Sequence, residues 1–170
     1  MKYLLSLSIL FITSSAFTQL SEKWEGKFTG TLFSTNLEDK VVDYQMELHI
    51  KMKSDYTYDW TIVYGSDSTR QEREYILKPD GKNHFMLDEQ NGIALHMSHS
   101  DNSITSVFEV DGNLLHVKYN LSKKGIMYEL TSSNGKAATG GGKIDGQKVQ
   151  TVYTYKTIAF QSAFLKRQKK

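Results

Sequence analysis

The 170-residue chain contains no cysteine. That absence excludes a disulfide framework, a thiolate metal site and the acylated cysteine of a bacterial lipoprotein anchor. Charge imbalance is nearly absent too: 21 Lys and Arg stand against 19 Asp and Glu. Such neutrality gives no electrostatic footprint for nucleic acid or for an anionic membrane surface. Long apolar runs are also missing. A membrane helix needs roughly 20 predominantly apolar residues, and the apolar start at Tyr3 to Phe11 is followed by Thr13, Ser14 and Ser15, with charge returning at Glu22 and Lys23. No integral membrane segment is therefore expected. No Gly-x-Ser-x-Gly elbow occurs, and no cysteine is available as a nucleophile, so covalent catalysis has no visible candidate.

The residues at the N-terminus form a pattern of their own. Lys2 supplies a basic n-region, the apolar stretch follows, and Ala16-Phe17-Thr18 has the small-x-small form of a cleavage site. Residues 1–18 are thus expected to be a cleaved signal peptide, and the protein to be secreted or periplasmic. Residues 19–170 are expected to form one domain. Loss of Lys2 with the signal leaves 20 basic against 19 acidic residues, so near neutrality persists. A chain of roughly 150 residues buries about two-thirds of its unfolded surface, enough for a core without disulfides.

Strand-like alternation dominates that region. Val42, Tyr44, Met46, Leu48, Ile50 and Met52 alternate with Asp43, Gln45, Glu47, His49 and Lys51, a period of two that a strand resolves into two faces and a helix scatters. Comparable runs lie near Trp24–Phe33, Val41–Met52, Tyr56–Tyr64, Arg70–Leu77, Asn83–Asp88, Ile93–His99, Ile104–Val110, Leu114–Leu121, Ile126–Ser132 and Val149–Phe160. Between them stand Asp80-Gly81, Asn91-Gly92, Asp111-Gly112, Asn134-Gly135 and Asp145-Gly146, pairs that tolerate the positive φ of tight hairpins. Connections this short join antiparallel neighbours and leave no room for helical crossovers. The expected fold is all-β, an antiparallel up-and-down meander of about ten strands closed into a barrel, because closure removes exposed edges. The stretch Ser133 to Lys148 reads either as a rim loop or as a distorted extra hairpin.

The inward phases are rich in large side chains. Tyr44, Met46, Tyr58, Trp60, Tyr75, Phe108, Tyr119, Tyr128, Tyr153 and Tyr155 are the candidate ligand-binding residues. Each buried tyrosine brings apolar area and a hydroxyl that needs a partner. Arg73 joins this set because it alternates with Tyr75 and Leu77, and a guanidinium inside a barrel must be paired, a ligand carboxylate being one partner. Alternatively the strand begins at Tyr75 and Arg73 sits in a solvated loop.

Other candidate chemistry is weaker. His96 and His99, three apart on a strand, point to opposite faces and do not converge on a metal. His49 and His116 fall on polar phases, and His84 alternates with Met86. No metal or cofactor is expected. Asp88 and Glu89 are adjacent and face opposite ways, so they cannot act as a paired acid and base. Gly142-Lys143 fails as a phosphate loop, with Ala137 where the first glycine belongs and Ile144 where Ser or Thr belongs. Lys166-Arg167-Gln168-Lys169-Lys170 reads as a frayed, solubilising tail.

The chain resembles the calycin-like or lipocalin-like β-barrels of exported bacterial proteins. The resemblance rests on Trp24-Glu25-Gly26 opening the first strand, the paired hairpin strands from Phe85 to Leu95, and the aromatic last strand with Tyr153 and Tyr155. Lipocalins carry Gly-x-Trp at the closed end, whereas here the order is Trp-x-Gly. They also place a basic residue of the last strand over that tryptophan, and within the expected strand Lys156 is the candidate. The resemblance implies a barrel that binds a small, largely hydrophobic molecule. With no catalytic motif visible no enzyme is expected, an enzyme using tyrosine hydroxyls and Arg73 in the pocket being a further alternative. The competing expectation is a rigid protein-interaction module with a filled barrel, whose partner surface would include Val63, Val107, Leu114 and Met127 on the outward phase.

Overall fold

The computed structural model describes residues 19–36 and 41–169; the expected signal peptide lies outside them. A single 3-10 turn, Glu22–Trp24, precedes strands β1 (Gly26–Asn36), β2 (Val41–Met52), β3 (Tyr58–Tyr64), β4 (Gln71–Pro79), β5 (His84–Asp88) and β6 (Ala94–Ser100). Then come β7 (Ser103–Val110), β8 (Asn113–Leu121), β9 (Gly125–Ala138), β10 (Lys143–Ile144), β11 (Gln147–Lys148) and β12 (Tyr153–Arg167). Ten of these close into one barrel in the order β1-β12-β9-β8-β7-β6-β5-β4-β3-β2, while β10 and β11 pair separately. Every pairing is antiparallel, so the all-β meander is as expected. Among the described residues no helix is long and apolar enough to cross a membrane.

Alternation sets which face of each strand is buried. On β2, Met46, Leu48 and Ile50 are buried and the residues between them are not. Because paired residues share a face, the register carries this phase around the wall: Leu48 opposes Ile62, Ile62 opposes Arg73, and Trp60 opposes Tyr75. The Asp111-Gly112 turn between β7 and β8 has positive φ at both positions, 50° and 74°, as a two-residue hairpin requires. Gly30 answers a different need. A Cβ there would collide with the Phe164 carbonyl on β12, so the bare backbone lets the closing strand approach.

The two ends of the barrel differ. At one end Leu20 and Trp24 plug the interior above Phe28, Tyr58, Phe85, Met97, Ile104, Ile126 and Leu165, all buried. Tyr58 secures the plug by accepting the Leu20 N–H at 2.9 Å. Arg167 fastens it from outside: its guanidinium donates to the carbonyls of Lys23 and Glu25, on either side of Trp24, and lies 4.5 Å from the Phe28 ring centroid. The opposite end carries the β3–β4 and β5–β6 loops and the β9–β12 excursion.

Several expectations change here. Trp24 sits in the 3-10 turn, and β1 starts at Gly26. The last strand runs on to Arg167, and Gln168 continues by donating its N–H to the Lys27 carbonyl at 2.8 Å. Lys166 to Gln168 are therefore part of the wall, and the basic group beside the tryptophan is Arg167, not Lys156. The stretch 133–148 is the distorted extra hairpin: β9 and β12 extend beyond the rim as a two-stranded ribbon capped by β10 and β11. Ile93 is exposed in the turn before β6. Val63, on the outward phase beside Glu47 and Glu72, is nevertheless buried. Its flanking carboxylates are bridged by Arg70, 2.8 Å from Glu72 and 3.9 Å from Glu47. That ion-paired strap removes Val63 from any partner surface.

Candidate functional site

The plugged half of the barrel is solid, so space for a molecule lies at the open end. A cavity of about 460 Å³ occupies it, lined by Leu32 (β1), Tyr44 (β2), Tyr64 (β3), Gly65, Thr69, Gln71 and Arg73 (β4), Tyr128 and Leu130 (β9) and Gln161 (β12). The local sequence explains the rim. Gly65 leaves β3 at a φ of 75° and donates to the Gln45 carbonyl at 2.8 Å. A reciprocal Ser66–Thr69 capping box then turns the chain back into β4. This compact return puts Gln71 and Arg73 on the inner phase, opposite Tyr64 and Ile62.

Beneath the cavity the core is aromatic. Tyr119 packs against Tyr128 with ring centroids 5.3 Å apart, and Trp60 meets Tyr119 edge-on at 5.1 Å and 84°. Burial pushes the Tyr119 and Tyr128 hydroxyls well above the ordinary tyrosine range. Burial also raises Tyr64, against the opposing pull of the Arg73 charge and of its pairing with the Tyr128 hydroxyl. The Tyr119 hydroxyl feels the indole N–H of Trp60, yet Trp60 Nε1 makes no hydrogen bond of acceptable geometry.

Arg73 is the one cation of this lining. The neighbouring Tyr75 hydroxyl is the main cause of its raised pKa, with Glu89 adding a longer-range attraction. Its guanidinium lies 5.6 Å from the Tyr64 ring centroid. Among the described residues no carboxylate stands within 4.0 Å of it. A second recess of about 310 Å³, lined by Arg73, Glu74, Tyr75, Glu89 and Asn91, adjoins on the rim. Arg73 thus belongs to β4, between two hollows, and not to a solvated loop. A larger open hollow of about 800 Å³ lies outside the barrel beside the N-terminal turn, among Gln19, Glu22, Glu25, Lys27, His49 and Lys51. Its lining mixes these groups with Ile50, Met52 and Arg167.

The eleven sequence candidates divide by depth. Tyr44, Arg73 and Tyr128 line the cavity, and Tyr75 lines the adjoining recess. Met46, Tyr58, Trp60 and Tyr119 are inside but belong to the packed core, and Phe108 is half-buried on the inner phase opposite Leu115. Tyr153 and Tyr155 are not inside. The register shifts between Thr157 and Ala159, and one extra residue in a strand turns all that follows to the other face. Both tyrosines therefore stand on the outer phase of the ribbon, exposed, with Lys136 Nζ 4.6 Å from the Tyr153 ring centroid.

Sequence reasoning missed Leu32, Tyr64, Gln71 and Gln161. Extending the Tyr58, Trp60, Ile62 phase by one step reaches Tyr64. Gln161 fell outside because the last strand was ended at Phe160. It also missed an inward histidine: His99 opposes Ile104 and packs edge-on against Phe85 at 5.9 Å and Trp24 at 6.5 Å, at the plugged end. Among the described residues no three His, Asp or Glu side chains gather as metal ligands.

No protein-family model matches the chain, and no curated protein matches it. Among solved structures it is similar to a protein of unknown function from the DUF3598 family of Nostoc punctiforme, with a TM-score of 0.59 and 11% identity over 94% of this chain. The match covers 54% of that structure, so the chain spans about half its length. At this identity the likeness concerns the barrel fold alone.

Proposed function

We propose that the protein is an exported, lipocalin-like carrier that holds a small, largely hydrophobic molecule in the open half of its barrel and does not transform it. The observation that carries the reading is the 460 Å³ cavity on the inner phase. Its size falls in the range of small-molecule sites, roughly 300–1,000 Å³, and its few polar groups converge among apolar ones. Leu32, Leu130 and the tyrosine rings supply apolar contact, while Tyr64, Gln71 and Gln161 supply hydrogen bonds. Arg73 favours a ligand with one anionic end, since a guanidinium pairs best with a planar carboxylate or similar group. The plug held by Arg167 against the turn bearing Trp24 supports the lipocalin-like resemblance.

Native mass spectrometry of protein exported by its own host and purified without detergent tests the proposal. A stoichiometric adduct, extractable and smaller than the cavity, is the expected result. A clean apo mass, together with no displacement of apolar dyes, would point to the interaction module, a reading favoured by the packed lower half and by the outer wall described next.

A further inference from the structure

The outer face of the β1–β12–β9 wall has a composition unlike the rest of the surface. Phe33, Tyr153, Tyr155, Phe160 and Phe164 are 50%, 55%, 38%, 41% and 37% exposed, and Met127 is 38% exposed. The register makes them one stripe. Phe33 opposes Ser162 and so lies between Phe160 and Phe164, Phe164 opposes Met127, and the bulge near Ile158 brings Tyr155 and Tyr153 onto the same outer phase. Between them stand Thr35, Thr131 and Ser162, with Glu129 as the carboxylate of the central region. The wall around β4 contrasts with this, its outer phase carrying Glu72, Glu74 and Lys78.

Aromatic and methionine enrichment with few charges at the centre is the signature of an interface core. A monomer rarely exposes an apolar patch beyond a few hundred Å². Aromatic side chains offer about 150–250 Å² each, so six large groups at these exposures present on the order of 500 Å². The partly exposed Thr35, Thr131 and Ser162 bring the face to about 600 Å² per partner, the lower end of stable interfaces. Within the closed barrel this wall has no free strand edge, so a partner meets it face to face; the open edges belong to the β9–β12 ribbon beyond the rim and to β10–β11.

We infer that this wall is the interface of a two-fold homodimer. A second copy is the occupant this surface fits. An isologous contact requires only that a patch match itself, and this largely aromatic face carries one carboxylate, Glu129, beside Ser162 at its centre, with Lys27 and Lys166 toward one end and Lys136 beside Tyr153 at the other. The inference does not depend on the carrier reading, since the cavity lies on the opposite side of the same strands.

Sedimentation equilibrium over a series of protein concentrations tests it, with Phe33→Ser/Phe160→Ser as the variant. These side chains are half exposed, so the fold is retained, and an unchanged thermal midpoint checks this. The expected result is twice the chain mass for the wild type and the single mass for the variant. Because the chain lacks cysteine, Ser162→Cys provides an independent readout: under mild oxidation it cross-links to a dimer much faster than Glu74→Cys on the charged wall. A monomeric wild type, a dimer indifferent to the double substitution, or equal cross-linking at the two positions would overturn the inference. A monomer that binds detergent micelles through these phenylalanines would overturn it in favour of a lipid surface.

Discussion

Removing the Arg167 guanidinium tests how the plugged end is held. Its two N–H groups reach the carbonyls of Lys23 and Glu25, and its plane covers the Phe28 ring. Hydrogen bonds to a charged donor contribute about 1.5–3 kcal/mol each when well buried. Arg167 is exposed, so about 1 kcal/mol each is the appropriate figure once solvent screening is allowed for. The cation–π contact adds about 0.5 kcal/mol at an exposed site. Arg167→Ala should therefore cost about 2–3 kcal/mol, a fall of roughly 4–12 °C in midpoint for a domain of this size. Arg167→Lys should recover little, because a single ammonium cannot span two carbonyls two residues of chain apart while lying flat on a ring. Urea titration followed by tryptophan fluorescence measures both, since Trp24 sits beneath the clamp. A loss below about 0.5 kcal/mol for Arg167→Ala, typical of an ordinary surface site, would refute the clamp.

Three further outcomes follow from the packing. Gly30→Ala places a methyl group against the Phe164 carbonyl and should cost about 2–3 kcal/mol through overpacking, whereas Gly81→Ala, with open space around it but a φ of 83°, should cost about 1 kcal/mol; calorimetry separates them. Tyr58→Phe leaves the Leu20 N–H without its partner and should destabilise by about 1–3 kcal/mol, with faster amide exchange at Leu20 as its local mark. Tyr58, Tyr64, Tyr119 and Tyr128 all have hydroxyl pKa values raised by burial, so above pH 10 the folded state holds protons that the unfolded chain releases. Their stabilising effect is complete below about pH 10 and is lost as pH rises past it, by up to about 1.4 kcal/mol per pH unit for each group. Alkaline unfolding should coincide with ionisation of these four hydroxyls, followed residue by residue through their ring NMR signals, and ionisation of any of the four with the fold intact would contradict the burial.

How much of this could be read from the chain depends on which interactions are local. Alternation on β2 and the Asp-Gly and Asn-Gly turns report neighbours in sequence, and they were enough for strand number, antiparallel order and the inward phase of Tyr44, Met46, Trp60 and Tyr128. What stayed hidden is set across the barrel. Arg167 looked like part of a basic tail because its partners, Lys23 and Glu25, lie at the other end of the chain. Tyr153 and Tyr155 were misassigned because the bulge near Ile158 is a property of how β12 pairs with β9, with no motif in its own sequence. The division of the interior into a packed half and a hollow half depends on summed side-chain volumes: Trp60, Tyr119 and Met46 fill their level, whereas Gly65 and Thr69 leave theirs open. Alternation cannot distinguish the two.

The central claim is that the open half of the barrel holds a small apolar molecule with an anionic end at Arg73. The most direct test is titration with anilinonaphthalene sulfonate, an anionic apolar fluorophore, in the Phe33→Ser/Phe160→Ser background so that the outer wall does not compete. The account predicts one site per chain, abolished by Leu32→Trp, which fills the cavity, and weakened about tenfold by Arg73→Gln, the equivalent of about 1.4 kcal/mol for a lost charge-assisted contact. An uncharged apolar fluorophore should lose affinity only in Leu32→Trp. Binding unaffected by either substitution, or none at all in the folded protein, would contradict it.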